Sequence, residues 1–241
     1  MGQIEAILFD YGGTLTRLTI SPEDLVTKCL RNIQTFLQSR GIAVSMARLK
    51  EADKEAWRLS QVRGSLIEAN ATEFMTELLR EAGVDLADGD AVINGVAEVD
   101  YMTAVPYIEL LPETLSTLQV LSEHKLRMGV VSNNVFPQML RTSIERLGLG
   151  SFFCTVVASG DVGVRKPASE VFRKALGELG CRVEETLFVG DRLEEDVAGA
   201  QNVGMVTVWV NSSTEAKRGS IVPDYEVRDL SAILQILGLS L

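Results

Sequence analysis

Four short stretches of this 241-residue chain carry residue types that handle phosphate and hard cations. Asp10 closes the apolar run from Ile4 to Phe9 and is followed by Gly12-Gly13. Ser132-Asn133-Asn134 closes a second apolar run over 126–131, and Arg165-Lys166-Pro167 stands in the loop after a third over 153–158. Gly190-Asp191 closes a fourth over 186–189, with Asp196 five residues later. Two carboxylates suit a hard cation, a hydroxyl and backbone N–H groups suit an anion, and a lysine offsets charge. Mg²⁺ takes one or two carboxylates, keeps several waters and completes its shell with phosphate oxygens. The chemistry within reach of this set is phosphate handling at a Mg²⁺ site.

Such residues meet only if the runs are strands of one open sheet, whose ligands bind beyond the carboxyl ends of the strands. From Val105-Pro106 onward the pattern fits. The runs at 126–131, 153–158, 186–189 and 205–210, with a weaker one near 225–227, alternate with helical stretches at about 112–123, 136–147, 169–179, 194–203 and 230–237. That alternation predicts a parallel sheet covered by helices on both faces. Residues 17–105 show no strand. There Ser21-Pro22-Glu23-Asp24 is a helix start, with a capping hydroxyl, Pro at the first helical position and acids at the positive end of the dipole. Apolar residues recur at helical spacing (Leu25, Cys29, Ile33, Phe36, Leu37) until Arg40-Gly41, and further helices are expected at 46–59, 67–81 and 90–102. The expected division is an α/β core of residues 1–16 and 106–241, interrupted by an all-helical insert over 17–105 with hinges near 16–20 and 103–107.

Composition narrows the class. The chain is 46% apolar and 23% charged, as ordinary globular proteins are, which excludes disorder and fibre. Its net charge of −10 leaves no basic stripe to track phosphate backbones, so nucleic acid is not an expected partner. No apolar stretch is long enough to span a membrane, and the N-terminal Met1-Gly2-Gln3-Ile4-Glu5 has neither the basic nor the apolar region of a signal peptide. Cys29, Cys154 and Cys181 are too widely spaced for a metal site and are expected as buried free thiols. A cytoplasmic location is expected, as a monomer or homodimer.

The segments FDYGGT, VVSNN, RKP and GDRLEED, in that order, resemble the four motifs of the haloacid dehalogenase-like hydrolase superfamily. The helical insert stands where that superfamily places a cap of the first class. The resemblance covers the whole α/β core and implies a three-layer, Rossmann-like parallel sheet beneath a helical cap. It also implies a small phosphorylated substrate hydrolysed through an aspartyl-phosphate. Asp10 would be the nucleophile and a Mg²⁺ ligand. The Gly12 carbonyl and Asp191 would complete the protein ligands. Thr14 would steady the loop, Ser132 and the Asn133 backbone would hold phosphoryl oxygens, and Lys166 would neutralise their charge. Asp196 would orient Lys166 or a metal-bound water.

One departure matters. Phosphatases of the superfamily carry a second aspartate two residues after the nucleophile, which protonates the leaving alkoxide, and Gly12 stands there. A group of that kind supplies about 10²–10⁴ in rate. Asp24, Glu51, Asp53 and Glu55 in the insert are possible substitutes. Dehalogenase-like members lack that aspartate as well, but they use no Mg²⁺ and lack the Gly190-Asp191 pair. Phosphonoacetaldehyde hydrolase-like members use a cap lysine, for which Lys50 and Lys54 are the nearest counterparts, although both sit among charges. A non-catalytic metal- or phosphate-binding module is the third alternative. Arg17 and Arg192 are read as either substrate contacts or ion pairs. His124 is read as structural, Trp57 and Phe74 as packing between insert helices, and Tyr107 as a possible wall of the cleft.

Overall fold

The computed structural model describes residues 4–62, 66–85, 89–212 and 220–240; Met1 to Gln3 of the N-terminal stretch read above lie outside them. The first strand, β1 (Ala6–Phe9), is buried throughout. A strand covered on both faces reads as an unbroken apolar run, which is why Ile4 to Phe9 shows no alternation. A short strand, β2 (Thr16–Leu18), leads into four helices: α1 (Pro22–Ser39), α2 (Met46–Val62), α3 (Ala71–Glu81) and α4 (Gly89–Ala104). The chain returns through β3 (Ile108–Leu110), which pairs antiparallel with β2. It continues through α5 (Thr114–Glu123), β4 (Arg127–Ser132), α6 (Pro137–Arg146), β5 (Thr155–Ala158), a single turn α7 (Ser159–Val162) and α8 (Ser169–Leu179). Then come β6 (Thr186–Gly190), α9 (Ala198–Val203), β7 (Val206–Val210), β8 (Tyr225–Val227) and α10 (Ala232–Ile236).

Six strands form one parallel sheet in the order β5-β4-β1-β6-β7-β8. Its two faces bury separate apolar clusters. Ile7, Phe9, Val130, Val189 and Val208 pack with Leu118, Leu140 and Ile233 of α5, α6 and α10. Leu8, Val131, Val157 and Phe188 pack with Phe172, Ala175 and Ala200 of α8 and α9. The result is the three-layer α/β arrangement expected. The insert helices close on a third cluster of their own, from Leu30, Ile33, Leu37, Leu49, Phe74, Leu78 and Val96, joined by Val135 and Phe136 from the loop after β4.

Local details depart from expectation in physically readable ways. Residues 17 and 18, in the stretch expected to show no strand and at the expected hinge of 16–20, belong to a two-stranded ribbon of 16–18 with 108–110, in which Arg17 faces Glu109 at 2.6 Å. The third insert helix begins at Ala71, not 67, because the Asn70 side chain accepts the Glu73 N–H and caps it there, while Ile67 bridges to Val164. The helix expected over 194–203 opens with a wide π-turn, Leu193–Val197, before α9. Of the three free cysteines only Cys29 is buried; Cys154 is exposed and Cys181 partly so. Among the described residues no helix is long and apolar enough to cross a membrane.

Gly129 shows how tightly the sheet centre is built. It lies between Leu8 of β1 and Thr155 of β5, where a Cβ would fall 2.5 Å from Thr155 Cγ2 and 2.9 Å from Leu8 Cδ2. Gly129→Ala is expected to destabilise the protein by about 1–3 kcal/mol through overpacking, seen as a lower urea midpoint at unchanged slope.

Candidate active site

Sequential strands run outward from β1 through β4 to β5, and the chain then crosses to the other side of β1 to lay down β6. That reversal opens a crevice at the carboxyl end of β1, where Asp10 stands. Asp10 donates its backbone N–H to the Val189 carbonyl at 2.9 Å, which ties it to β6. Lys166 reaches it from the loop after β5. Its Nζ donates to Asp10 Oδ1 at 2.6 Å, Asp196 Oδ1 at 2.7 Å and the Val131 carbonyl at 2.9 Å, so all three ammonium protons are placed. The lysine is only 2% exposed. Burial opposes its charge, but Asp10 and Asp196 outweigh that and hold its pKa above the usual lysine value. Burial lifts the Asp10 carboxyl to about 7; Lys166 pulls it down, and Asp196 and Asp191 push it up again. Three carboxylates face one ammonium, but burial is the main reason the Asp10 carboxyl stands high, and its two acidic neighbours add to it.

The carboxylate oxygens of Asp10, Asp191 and Asp196 lie within 4.8 Å of one another. Asp196 is fully engaged: Oδ1 holds Lys166, and Oδ2 accepts the Arg192 N–H at 2.9 Å. Asp191 is not. Its Oδ1 is buried without a hydrogen-bond partner, a costly state for a carboxylate that a cation would relieve. Trp209 Nε1 donates to the Asp191 carbonyl at 2.9 Å and fixes its backbone. Gly13, at φ +94°, leaves the room: a Cβ there would fall 2.3 Å from Asp191 Oδ2. Gly190 does the same for Asp196, whose Cγ would be 2.4 Å away. Gly12 is different. A Cβ there meets nothing within 4 Å, and among the described residues no donor reaches its carbonyl.

Ser132 ends β4 buried beside this cluster. The Asn133 side chain brackets the lysine's own backbone: Oδ1 accepts the Lys166 N–H at 2.7 Å, and Nδ2 donates to the Lys166 carbonyl at 3.2 Å. Nδ2 also donates to Glu195 Oε2 at 3.1 Å. Thr14 is wholly buried, and its hydroxyl has no partner. The Val131 carbonyl and the Asn133 side chain lie within the VVSNN stretch, where residue type alone does not reveal their bonds to Lys166, and Glu68 lies outside all four stretches.

A cavity of about 250 Å³ lies between the insert and the loop after β4; Asp10, Lys166, Asp191 and Asp196 do not line it, and Asn133, which grips the Lys166 backbone, is its link to the cluster. Leu25, Cys29, Asp53, Trp57, Phe74 and Asp100 wall it from the insert, and Asn133, Asn134, Phe136, Met139 and Arg165 from the core. Trp57, expected as packing, is 40% exposed and leans on Phe74 at a ring-centroid distance of 4.8 Å. Of the four acids proposed to replace the missing one, Asp53 alone lines this cavity. Burial raises its carboxyl to about 6, and burial likewise raises Asp100 to about 6. Asp24 and Glu51 are exposed, and Glu55 is paired with Arg58. Lys50 is exposed and Lys54 76% so, which gives neither the desolvation an imine-forming lysine requires. Arg192 pairs with Glu195, Tyr107 lies under Lys28, and His124 caps the end of α5.

Three comparisons bear on this geometry. The family profile of the haloacid dehalogenase-like hydrolases matches residues 4–204. The chain is 30% identical over 239 residues, 97% of each sequence, to the glyceraldehyde 3-phosphate phosphatase of Methanopyrus kandleri. It is 31% identical over 163 residues to the phosphoserine phosphatase of Thermus thermophilus, covering 68% of this chain and 65% of that one. Among solved structures, a 2-haloacid dehalogenase from Pseudomonas syringae shares the fold at a TM-score of 0.74 and 23% identity, over 98% of this chain and 99% of that one.

Removing the central ammonium while leaving its carboxylates is a direct test of the charge balance. Lys166→Met is expected to cost about 3–5 kcal/mol at pH 8, the usual effect of breaking a buried pair. Asp10, already raised to about 7 with its ammonium present, rises further in that variant. A carboxyl whose folded pKa exceeds its unfolded one costs stability above that pKa, and the cost fades as pH falls through it. The deficit against wild type should therefore shrink between pH 8 and pH 5, and adding Asp10→Asn should recover part of it at pH 8. Urea unfolding at the two pH values reads both.

Proposed function

The chain belongs to the haloacid dehalogenase-like hydrolases, and from that premise we propose that it is a phosphatase acting on a small phosphorylated metabolite through an aspartyl-phosphate on Asp10. The observation that carries the reading is the buried, unpartnered Asp191 Oδ1 beside Asp10, in a centre with more carboxylates than ammonium groups. Asp10, Asp191 and the open Gly12 carbonyl fit a divalent cation of the kind this family generally uses, Mg²⁺. When bound, Mg²⁺ supplies charge neutralisation for the phosphoryl oxygens. Full relatives named as phosphatases agree with this chemistry.

Each residue then has a definable task. Lys166 holds Asp10 by Oδ1, leaving its other oxygen, which has no donor among the described residues, to attack phosphorus. The bond from Asp10 to phosphorus forms as the ester P–O bond breaks, and the leaving alcohol departs toward the cavity. Water then attacks the same phosphorus, its proton passing to the Asp53 carboxylate left by the first step, and inorganic phosphate is released as the Asp10 carboxylate is restored. Ser132 and the Asn133 backbone hold the transferring oxygens, and Asp196 keeps Lys166 aimed. The helical insert over 17–105 acts as a cap that excludes water. Asp53 is the proton donor we assign to the leaving oxygen, because it lines the cavity and burial lifts its carboxyl to about 6, where a fraction stays protonated near neutrality. The apolar walls from Leu25, Phe136 and Met139 suit a compact carbon skeleton.

Phosphate release from esters graded by leaving-group acidity, with and without Mg²⁺, tests this. Release should require Mg²⁺ and vanish in Asp10→Asn. Asp53→Asn should lose about 10²-fold on alkyl esters and far less on aryl esters, whose leaving groups need no proton. With Asp53 as the acid, wild-type turnover of alkyl esters should fall as pH rises above 6. Gly12→Asp, for which the turn has room, should restore alkyl-ester turnover to Asp53→Asn. No release above the Asp10→Asn blank with any ester would overturn the phosphatase reading.

A further inference from the structure

The helical insert touches the core beside the lysine loop at one specific place. Just before α3, residues 66–68 run antiparallel to residues 163–165: the Arg165 N–H donates to the Leu66 carbonyl at 2.8 Å, and the Glu68 N–H donates to the Gly163 carbonyl at 2.9 Å. The next residue in the core loop is Lys166. Glu68 is a buried carboxylate at this seam. Its Oε2 accepts the Ser159 hydroxyl proton at 2.8 Å and stands 3.8 Å from Arg165 Nε. Ser159 Oγ in turn accepts the Asn134 N–H at 2.8 Å. One carboxylate from the insert therefore braces both loops that face the substrate. Through Ser159 it holds the turn after Ser132 and Asn133, and through Arg165 it neighbours the lysine loop.

The bracing continues into the site. Arg165 also lies 3.8 Å from Glu195, which accepts from the Asn133 side chain, and that side chain grips the Lys166 backbone. Glu68, Asn133, Asn134 and Arg165 all line the cavity assigned to the leaving group. A carboxylate buried at such a seam is costly unless its hydrogen bonds are made, and they are made only while the insert is docked. We propose that Glu68 is a positioning residue: docking of the insert, through Glu68 and Ser159, sets the loops that carry Asn133 and Lys166 for phosphoryl transfer. This rests on the phosphatase reading above.

The test compares Glu68→Ala, Glu68→Gln, Ser159→Ala and the double variant Glu68→Ala/Ser159→Ala. Loss of a hydrogen bond to a charged group predicts a fall in kcat of about tenfold for Glu68→Ala, with KM changed far less and with alkyl and aryl esters affected alike. Glutamine keeps an acceptor for Ser159 and should recover most of the loss. Ser159→Ala should match Glu68→Ala, and the double variant should be no slower than either single one, as expected of members of one chain of bonds. Amide hydrogen exchange gives a readout independent of turnover: the Asn134 and Arg165 N–H groups should exchange faster in Glu68→Ala, while α8 amides stay unchanged. A lowered Tm with unchanged kcat, a change in KM alone, or losses that multiply in the double variant would overturn the proposal. If wild type releases no phosphate from any ester, the phosphatase reading fails by itself, and the exchange of those two amides still decides whether Glu68 couples insert to loops.

Discussion

Everything in this molecule converges on one buried ammonium group. Lys166 Nζ is held by two carboxylates and a strand-end carbonyl, each from a different part of the chain: Asp10 after β1, Val131 within β4, and Asp196 in the turn after β6. Stripping such charges of water costs several kcal/mol for each ion, and only complete hydrogen bonding returns it. The sheet order meets that demand. By placing β4 and β6 on either side of β1, the topology delivers all three partners to one point without bending a strand. A parallel sheet buried on both faces supplies the rigid, dry floor that makes those bonds strong.

The same constraint explains where the chain uses glycine. Carboxylates packed this closely leave no room for neighbouring side chains, and Gly13 and Gly190 stand where a Cβ would strike Asp191 and Asp196. Gly12 obeys no such rule, since space around it is open. Its small size is not demanded by packing, so the absence of an acid there is a chemical feature of the chain. The centre nevertheless holds three carboxylates against one ammonium, and one of their oxygens, Asp191 Oδ1, is buried without a hydrogen-bond partner.

Most of this centre was legible in the residue order because its members sit at strand ends, where an apolar run stops and a polar residue begins. Asp10, Ser132 and Asp191 each announce themselves that way, and Lys166 follows at a fixed place in the next loop. Asp196 is read from the sequence as orienting Lys166 or a metal-bound water, and in the fold its Oδ1 accepts from Lys166 while its Oδ2 is taken up by the Arg192 N–H. What could not be read were contacts between residues far apart in the chain. The bracket that the Asn133 side chain places on the Lys166 backbone, and the backbone seam between residues 66–68 and 163–165, leave no periodicity in the sequence. Trp57 misled for a related reason. Helical spacing marks an apolar face, but it cannot say whether that face meets a core or a cavity.

These features divide labour between the two parts of the chain. The α/β core supplies charge, with its carboxylates and its ammonium fixed by strand ends that cannot move independently. In the proposed reaction the insert supplies shape and a proton, with Asp53 and an aromatic wall on helices that line the cavity. Burial lifts Asp10, and Asp196 and Asp191 lift it further; a fourth carboxylate placed in the turn after β1 would add to their repulsion. Held instead across the cavity on α2, an acid is removed from that crowd, and burial alone raises it into the range where it can give a proton near neutrality. Such an arrangement ties acid chemistry to the docked insert, since the acid is in place only when the insert is. The Glu68 seam is the mechanical counterpart of that dependence: it lets one docking event place the acid and brace the lysine loop together.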